Sequence, residues 1–355
     1  MELWHQDVSS PRGVMHVARR VEAQGWDGLS VVDSQNLSGD CYVALAMAAS
    51  VTERIGLCTG VTNSGTRQAA VTAMAIASVQ SVSKGRATLG IGRGDSAMAH
   101  LGRSPTKLNQ FETYVRHVQA YLRGEPVPFD EIDIPDEIAA PMSALHLASA
   151  PPDSQIRALI GKQKLPVEVA ASGPKVIGIG ALHADRIMFT LGADVDRLAW
   201  GIDIAKQARK DAGLDPDGVQ FGAFVNAACH PDISIARGLV QGGLTTFARF
   251  SVMHGKTSGP LKEGQAEVLD NLIHAYDMRK HTQADSQQAG TLTPEFIDQF
   301  AIVGDQQHCI DRFQSLKALG LDKVIISGVG RTGETDETKL AQRFFTQDVM
   351  PELRR

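Results

Sequence analysis

One local pattern recurs along this chain and limits the folds open to it. An amphipathic stretch of helical spacing ends in a small residue or glycine and turns straight into a short, continuously apolar run. Residues 12–23 have that spacing and lead through Gly25-Trp26-Asp27 into the run 28–33; residues 309–319 lead through Gly320-Leu321-Asp322 into the run 323–328. In the same way 41–52 precedes 55–62, 69–83 precedes 87–92, 175–182 precedes 186–191, and 196–212 precedes 220–228. With further runs at 2–6 and 167–171 the count reaches about eight. Runs that are apolar throughout, rather than at alternate positions, belong to strands covered on both faces, as in parallel sheets. About eight of them alternating with helices specify a closed (β/α)8 TIM barrel of the α/β class, not an open sheet.

A chain of 355 residues has room for one such barrel with additions, so we expect a single domain over 1–355. Two stretches break the beat. Residues 125–165 are rich in Pro and acidic residues and read as a hairpin or irregular excursion; 248–300 has helical patterning at 265–279 and 294–300 around a polar, Gly/Ser/Gln-rich break. Both are expected as insertions over the C-terminal mouth, forming lids and substrate walls.

Charge restricts the partners. Lys and Arg number 35 against 40 Asp and Glu, with no run of like charges, so the basic face that nucleic acid requires is missing. The four cysteines are widely separated and form no CxxC, which points to buried free thiols in a reducing cytoplasm. No apolar run approaches the roughly 18 residues of a membrane span, and the N-terminus lacks a signal-peptide pattern.

In a barrel the chemistry is built from the C-terminal ends of the strands. Here these are His5-Gln6-Asp7, Asp33-Ser34-Gln35-Asn36, Gly60-Val61-Thr62-Asn63, Gly92-Arg93-Gly94-Asp95-Ser96, Ala171-Ser172-Gly173-Pro174-Lys175, Gly192-Ala193-Asp194, Asn226 and Gly328-Val329-Gly330-Arg331. Gly90, Gly92 and Gly94 do not have the spacing of a dinucleotide fingerprint and fall after the third unit rather than the first. They serve either close packing or the approach of backbone to a flat ring. Ser172-Gly173-Pro174-Lys175 opens a helix with Pro in its first turn, which leaves free amide N–H groups, beside a lysine, for an anion. No metal site is expected, since the first strand offers one histidine where a metal-dependent barrel hydrolase carries His-x-His.

At these strand ends the chain resembles the bacterial luciferase-like flavin-dependent oxidoreductases, in the branch similar to methylenetetrahydromethanopterin reductase. The residues carrying the likeness are Gly60-Val61-Thr62-Asn63 with Thr66-Arg67, the stretch Gly90-Ile91-Gly92-Arg93-Gly94-Asp95-Ser96 with Leu101-Gly102, Ala171-Ser172-Gly173-Pro174-Lys175, and Ile302-Val303-Gly304. The resemblance implies a barrel that holds FMN, or the deazaflavin F420, at its mouth. It implies a non-prolyl cis peptide at Gly60-Val61 behind the ring, with Thr62, Asn63, Gly92 and Gly94 around it. The phosphate would lie at Ala171, Ser172, Gly173, Pro174, Lys175 and Val176, and Asp33 and Asp95 would be polar groups at ring or substrate. Many relatives have His directly after the second-strand acid, where this chain has Ser34, leaving His5 as the substitute catalytic imidazole.

The first expectation is therefore a monooxygenase using reduced FMN and O2 on a small organic substrate, supplied by a separate NAD(P)H-dependent flavin reductase. The alternative is an F420-dependent hydride-transfer reductase or dehydrogenase. A binding protein without turnover is disfavoured by Asp33, Asp95 and the phosphate loop occurring together. A cytoplasmic homo-oligomer, dimer or tetramer, is expected, with no nucleic-acid or membrane partner.

Overall fold

A computed structural model describes residues 1–253, 255–327 and 335–355. Eight parallel strands close on themselves: β1 (Glu2–Asp7), β2 (Gly28–Val31), β3 (Gly56–Thr59), β4 (Ala87–Gly92), β5 (Val167–Ala171), β6 (Arg186–Phe189), β7 (Gln220–Cys229) and β8 (Lys323–Ser327). Closure is made by β8, which pairs β7 from Lys323↔Gly222 to Ser327↔Asn226 and β1 from Glu2↔Lys323 to His5↔Ile326. Between the strands run α1 (Val14–Ala23), α2 (Cys41–Ala49), α3 (Ala69–Val82), α4 (Leu108–Leu122), α5 (Pro174–His183) and α6 (Val195–Asp211). The fold is the TIM barrel that the recurrent unit specified. The expected strand end at Gly328-Val329-Gly330-Arg331 lies outside the described residues.

Each strand faces two apolar layers, which explains its unbroken hydrophobicity. Leu3, Leu29, Leu57, Leu89, Val167 and Val324 face outward into the core shared with the helices. Trp4, Cys58, Met188, Phe224 and Ile325 fill the barrel itself. Trp4 lies across Gly28 and Gly56, where a Cβ on either glycine would overlap the indole. Below it sits a buried charge cluster. Lys323 Nζ, 3.4 Å from the Trp4 ring centre, is 3.0 Å from both carboxylate oxygens of Glu168, and Arg186 Nη1 donates to Glu168 Oε1 at 2.5 Å.

The two excursions do not share one face. Residues 125–165 follow α4, a helix that the recurrent pattern did not reveal, and lead into β5; an α-to-β connection returns the chain to the N-terminal end of the barrel. The segment carries short 3₁₀ turns (Phe129–Glu131, Met142–Leu145, Arg157–Leu159) and one antiparallel bridge, Val127↔Ser154, and supplies nothing to the mouth. The expectation of a lid there is corrected. The second excursion does cover the mouth, and it starts earlier than expected, with α7 (Ile233–Phe250), capped by Asp232. It continues through α8 (Gln265–Ala275) and α9 (Pro294–Phe300), returns beside the end of β7 as Ile302–Gly304, and rejoins the barrel through α10 (Gln306–Ala318).

Candidate active site at the barrel mouth

The strand ends converge on a cavity of about 260 Å³. Its floor comes from β3 and β4. The Gly60-Val61 peptide is cis, and Gln6 Nε2 donates to Gly60 O at 2.8 Å from inside the barrel. After this bend the chain pairs again with β4 (Thr62↔Ile91, Asn63↔Gly92). A Cβ on Gly92 would stand 3.2 Å from Val61 Cγ2, so only glycine keeps the valine and the floor beside it as they are. Gly94, at φ 83°, turns the backbone in the left-handed region and packs on Asn63.

Both expected carboxylates reach the cavity, and both arrive already partnered. Asp33 Oδ2 accepts from Thr62 Oγ1 at 2.7 Å and from Arg67 Nη1 at 2.6 Å, while Arg67 also reaches Asp40 at 2.9 Å. Burial works against the Arg67 charge, but the hydrogen bond and charge of Asp33 outweigh it and hold the guanidinium above its ordinary range. Across the mouth Asp95 is paired with Arg249, the penultimate residue of α7. Arg249 lies 4.6 Å from the Tyr276 ring centre, and the Tyr276 hydroxyl is 2.7 Å from His281 Nδ1. Burial raises the Tyr276 phenol above its usual range. These contacts bind the segment around 276–282 to the rim. Ser34 forms a 2.6 Å hydroxyl pair with Ser96.

His5 is not part of this arrangement. It alternates with Trp4 and Gln6, which point inward, and so faces the helices, 5.3 Å from the Trp26 ring and 3.6 Å from Asp7. Burial would raise the Asp7 carboxyl, but hydrogen bonding and charge from His5 hold it low. The substitute imidazole is thus corrected: cavity contact from β1 comes from Gln6.

At the end of β5, Ser172, Gly173 and Val176 line the cavity, Ala171 is buried beneath them, and Pro174 and Lys175 are exposed at the start of α5. Gly173 caps this helix without a side-chain hydrogen bond, and Pro sits in its first turn, so the first amide N–H groups have no acceptor among the described residues. The opposite wall is apolar: Phe247 stacks 6.0 Å from Phe224 and meets Phe250 edge-on. Sequence reasoning missed Arg249, Tyr276, His281 and this wall. The available signal was Asp232 followed by an amphipathic run to Phe250.

Comparison with known proteins agrees with the architecture. Residues 3–323 match the family model of the luciferase-like monooxygenases, and the chain belongs to that family. It is similar to a 5,10-methylenetetrahydromethanopterin reductase of Methanolobus tindarius, with 27% identity over 88% of this chain and 89% of the relative. The structure of the coenzyme F420-dependent tetrahydromethanopterin reductase of Methanopyrus kandleri superposes with a TM-score of 0.74 at 20% identity, covering 99% of both chains. An F420-dependent secondary alcohol dehydrogenase solved with an F420–acetone adduct gives 0.70 at 15% identity over the full length of both. Among the described residues no helix is long and apolar enough to cross a membrane, and no cluster of metal-ligating side chains occurs.

Proposed function

We propose that this member of the luciferase-like family is a hydride-transfer oxidoreductase that uses the deazaflavin F420 on a small organic substrate. The observation that carries the reading is the similarity to a methylenetetrahydromethanopterin reductase along nearly nine-tenths of the chain. The expectation of an FMN- and O2-dependent monooxygenase fed by a separate flavin reductase is corrected by the same finding, because the curated relatives are reductases.

The residues present fit a deazaflavin. Asn63 Nδ2 is a buried donor with no partner among the described residues, and Gly92 keeps the space beside Val61 clear. Gly60 and Val61 would back the ring, and the N–H groups at Lys175 and Val176 with the Lys175 ammonium would hold the phosphate. When bound, the deazaflavin supplies a carbon that gives or takes a hydride without activating O2 as a flavin does. The chain's part is to shape and dry the mouth through Val61, Phe247 and Phe250, and to orient substrate with fixed carboxylates. Asp33 is held by Thr62 and Arg67, and Asp95 by Arg249.

The test is direct. F420 and FMN are titrated into the purified protein by fluorescence, and the visible absorbance of F420 is then followed with methylene-tetrahydropterins and secondary alcohols in air and under argon. Tighter binding of F420 and oxygen-independent turnover are expected. Preferred FMN binding, or substrate-coupled O2 consumption, would refute the assignment.

A further inference from the structure

The arginines around the mouth are unequal. Arg67 has Asp33 and Asp40, and Arg249 has Asp95. Arg93, at the end of β4, lines the cavity itself and has no carboxylate partner among the described residues. Its Nε donates to Thr106 O at 2.6 Å, and Thr106 N donates back to Arg93 O at 3.0 Å, which fixes the side chain to the loop before α4. Both Nη groups keep their donors. Burial lowers its pKa with no acid near enough to oppose the effect. A half-buried guanidinium without a counter-charge is unfavourable unless a ligand provides one, and its planar fork matches carboxylate and phosphate. The neighbouring carboxylates are engaged elsewhere, Asp33 sharing Arg67 with Asp40 and Asp95 being paired with Arg249, and neither Asp33 nor Asp95 pairs with Arg93.

We propose that Arg93 anchors an oxyanion, carboxylate or phosphate, carried by the molecule that fills the mouth, and makes this site selective for anionic ligands. Lining the same cavity as Phe247, Phe250 and Met253, it defines a ligand with an apolar body and an anionic end. The oxyanion has two sources: the substrate, or the phosphate-bearing tail of the cofactor. Only the second rests on the deazaflavin reading.

The experiment compares wild type, Arg93→Gln and Arg93→Lys as full-length proteins by calorimetric titration. The probes are benzoate, benzyl alcohol, F420 and the deazaflavin chromophore without its tail. Benzoate is expected to bind wild type more tightly than benzyl alcohol, and Arg93→Gln is expected to weaken it about tenfold or more, the scale of one charge-assisted hydrogen bond. Arg93→Lys should recover part of the loss, and the tail-less chromophore should bind all three proteins alike. A loss confined to intact F420 assigns the oxyanion to the cofactor tail. Equal benzoate and F420 affinities in wild type and Arg93→Gln overturn the proposal. Should Arg93→Gln not fold, Arg93→Lys against wild type with the same probes decides it. Failure of wild type to bind F420 sinks the cofactor assignment and leaves the benzoate comparison valid.

Discussion

Replacing Glu168 with Gln should cost this barrel a large part of its stability while changing almost nothing in its shape. Glu168 and Lys323 have no exposed surface, and the ammonium lies 3.0 Å from both carboxylate oxygens. The amide keeps one acceptor oxygen but removes the counter-charge, leaving the Lys323 ammonium inside the barrel with only that neutral oxygen and the Trp4 face, 3.4 Å from its Nζ, to offset its charge. Arg186 is better placed, because its Nη2 already donates to Gln220 Oε1 at 2.8 Å near the surface. The penalty therefore falls on Lys323, and an uncompensated buried charge costs about 3–5 kcal/mol. Against a total of about 5–15 kcal/mol for a typical domain, that is about a fifth or more of what holds the fold. Lys323→Met should cost less than half as much, since Glu168 keeps Arg186, and the double variant Glu168→Gln/Lys323→Met should regain most of the loss. The assay is urea unfolding with thiol labelling as readout, because all four cysteines are buried and react only on opening. A Glu168→Gln variant within about 1 kcal/mol of wild type, the range of an ordinary substitution, would refute the reasoning. So would a double variant no more stable than Glu168→Gln alone.

Other outcomes follow from single sites. Burial pushes the Cys58 thiol from 9.0 to about 12 and the Tyr114 phenol from 10.0 to about 12. The unfolded chain therefore releases these protons first, and stability should fall as pH rises from about 9 to 12; Cys58→Ala should flatten that fall in unfolding midpoints. Gly92→Val should crowd Val61 and weaken F420 binding by about tenfold or more with the barrel intact by circular dichroism, an overpacking cost of roughly 1–3 kcal/mol; unchanged affinity would move the ring elsewhere. Lys175→Glu should weaken F420 binding and make it less salt-dependent, while leaving the tail-less chromophore unaffected. His5→Ala should lower the melting temperature through the lost Trp26 contact yet leave hydride-transfer kcat unchanged; a large fall in kcat would return His5 to the site.

What the sequence determined by itself was the barrel and its rim. Continuous apolar runs of strand length, most of them preceded by a stretch of helical spacing, are the pattern of a parallel sheet covered on both faces, and the glycine-rich strand ends then fall together by topology. The same continuity hid the inward-facing residues: with both faces buried, period-two alternation carries no polarity signal, so His5 and Gln6 looked equivalent although only Gln6 enters the mouth. Tertiary structure also decided the charges. Asp33 finds Arg67 34 residues away and Asp95 finds Arg249 154 residues away, and no local pattern distinguishes a carboxylate neutralised at such range from one left for substrate. The position of the first excursion was likewise settled by α4. A helix placed before residues 125–165 sends them to the opposite end of the barrel, because each β-to-α step carries the chain toward the mouth and each α-to-β step away from it.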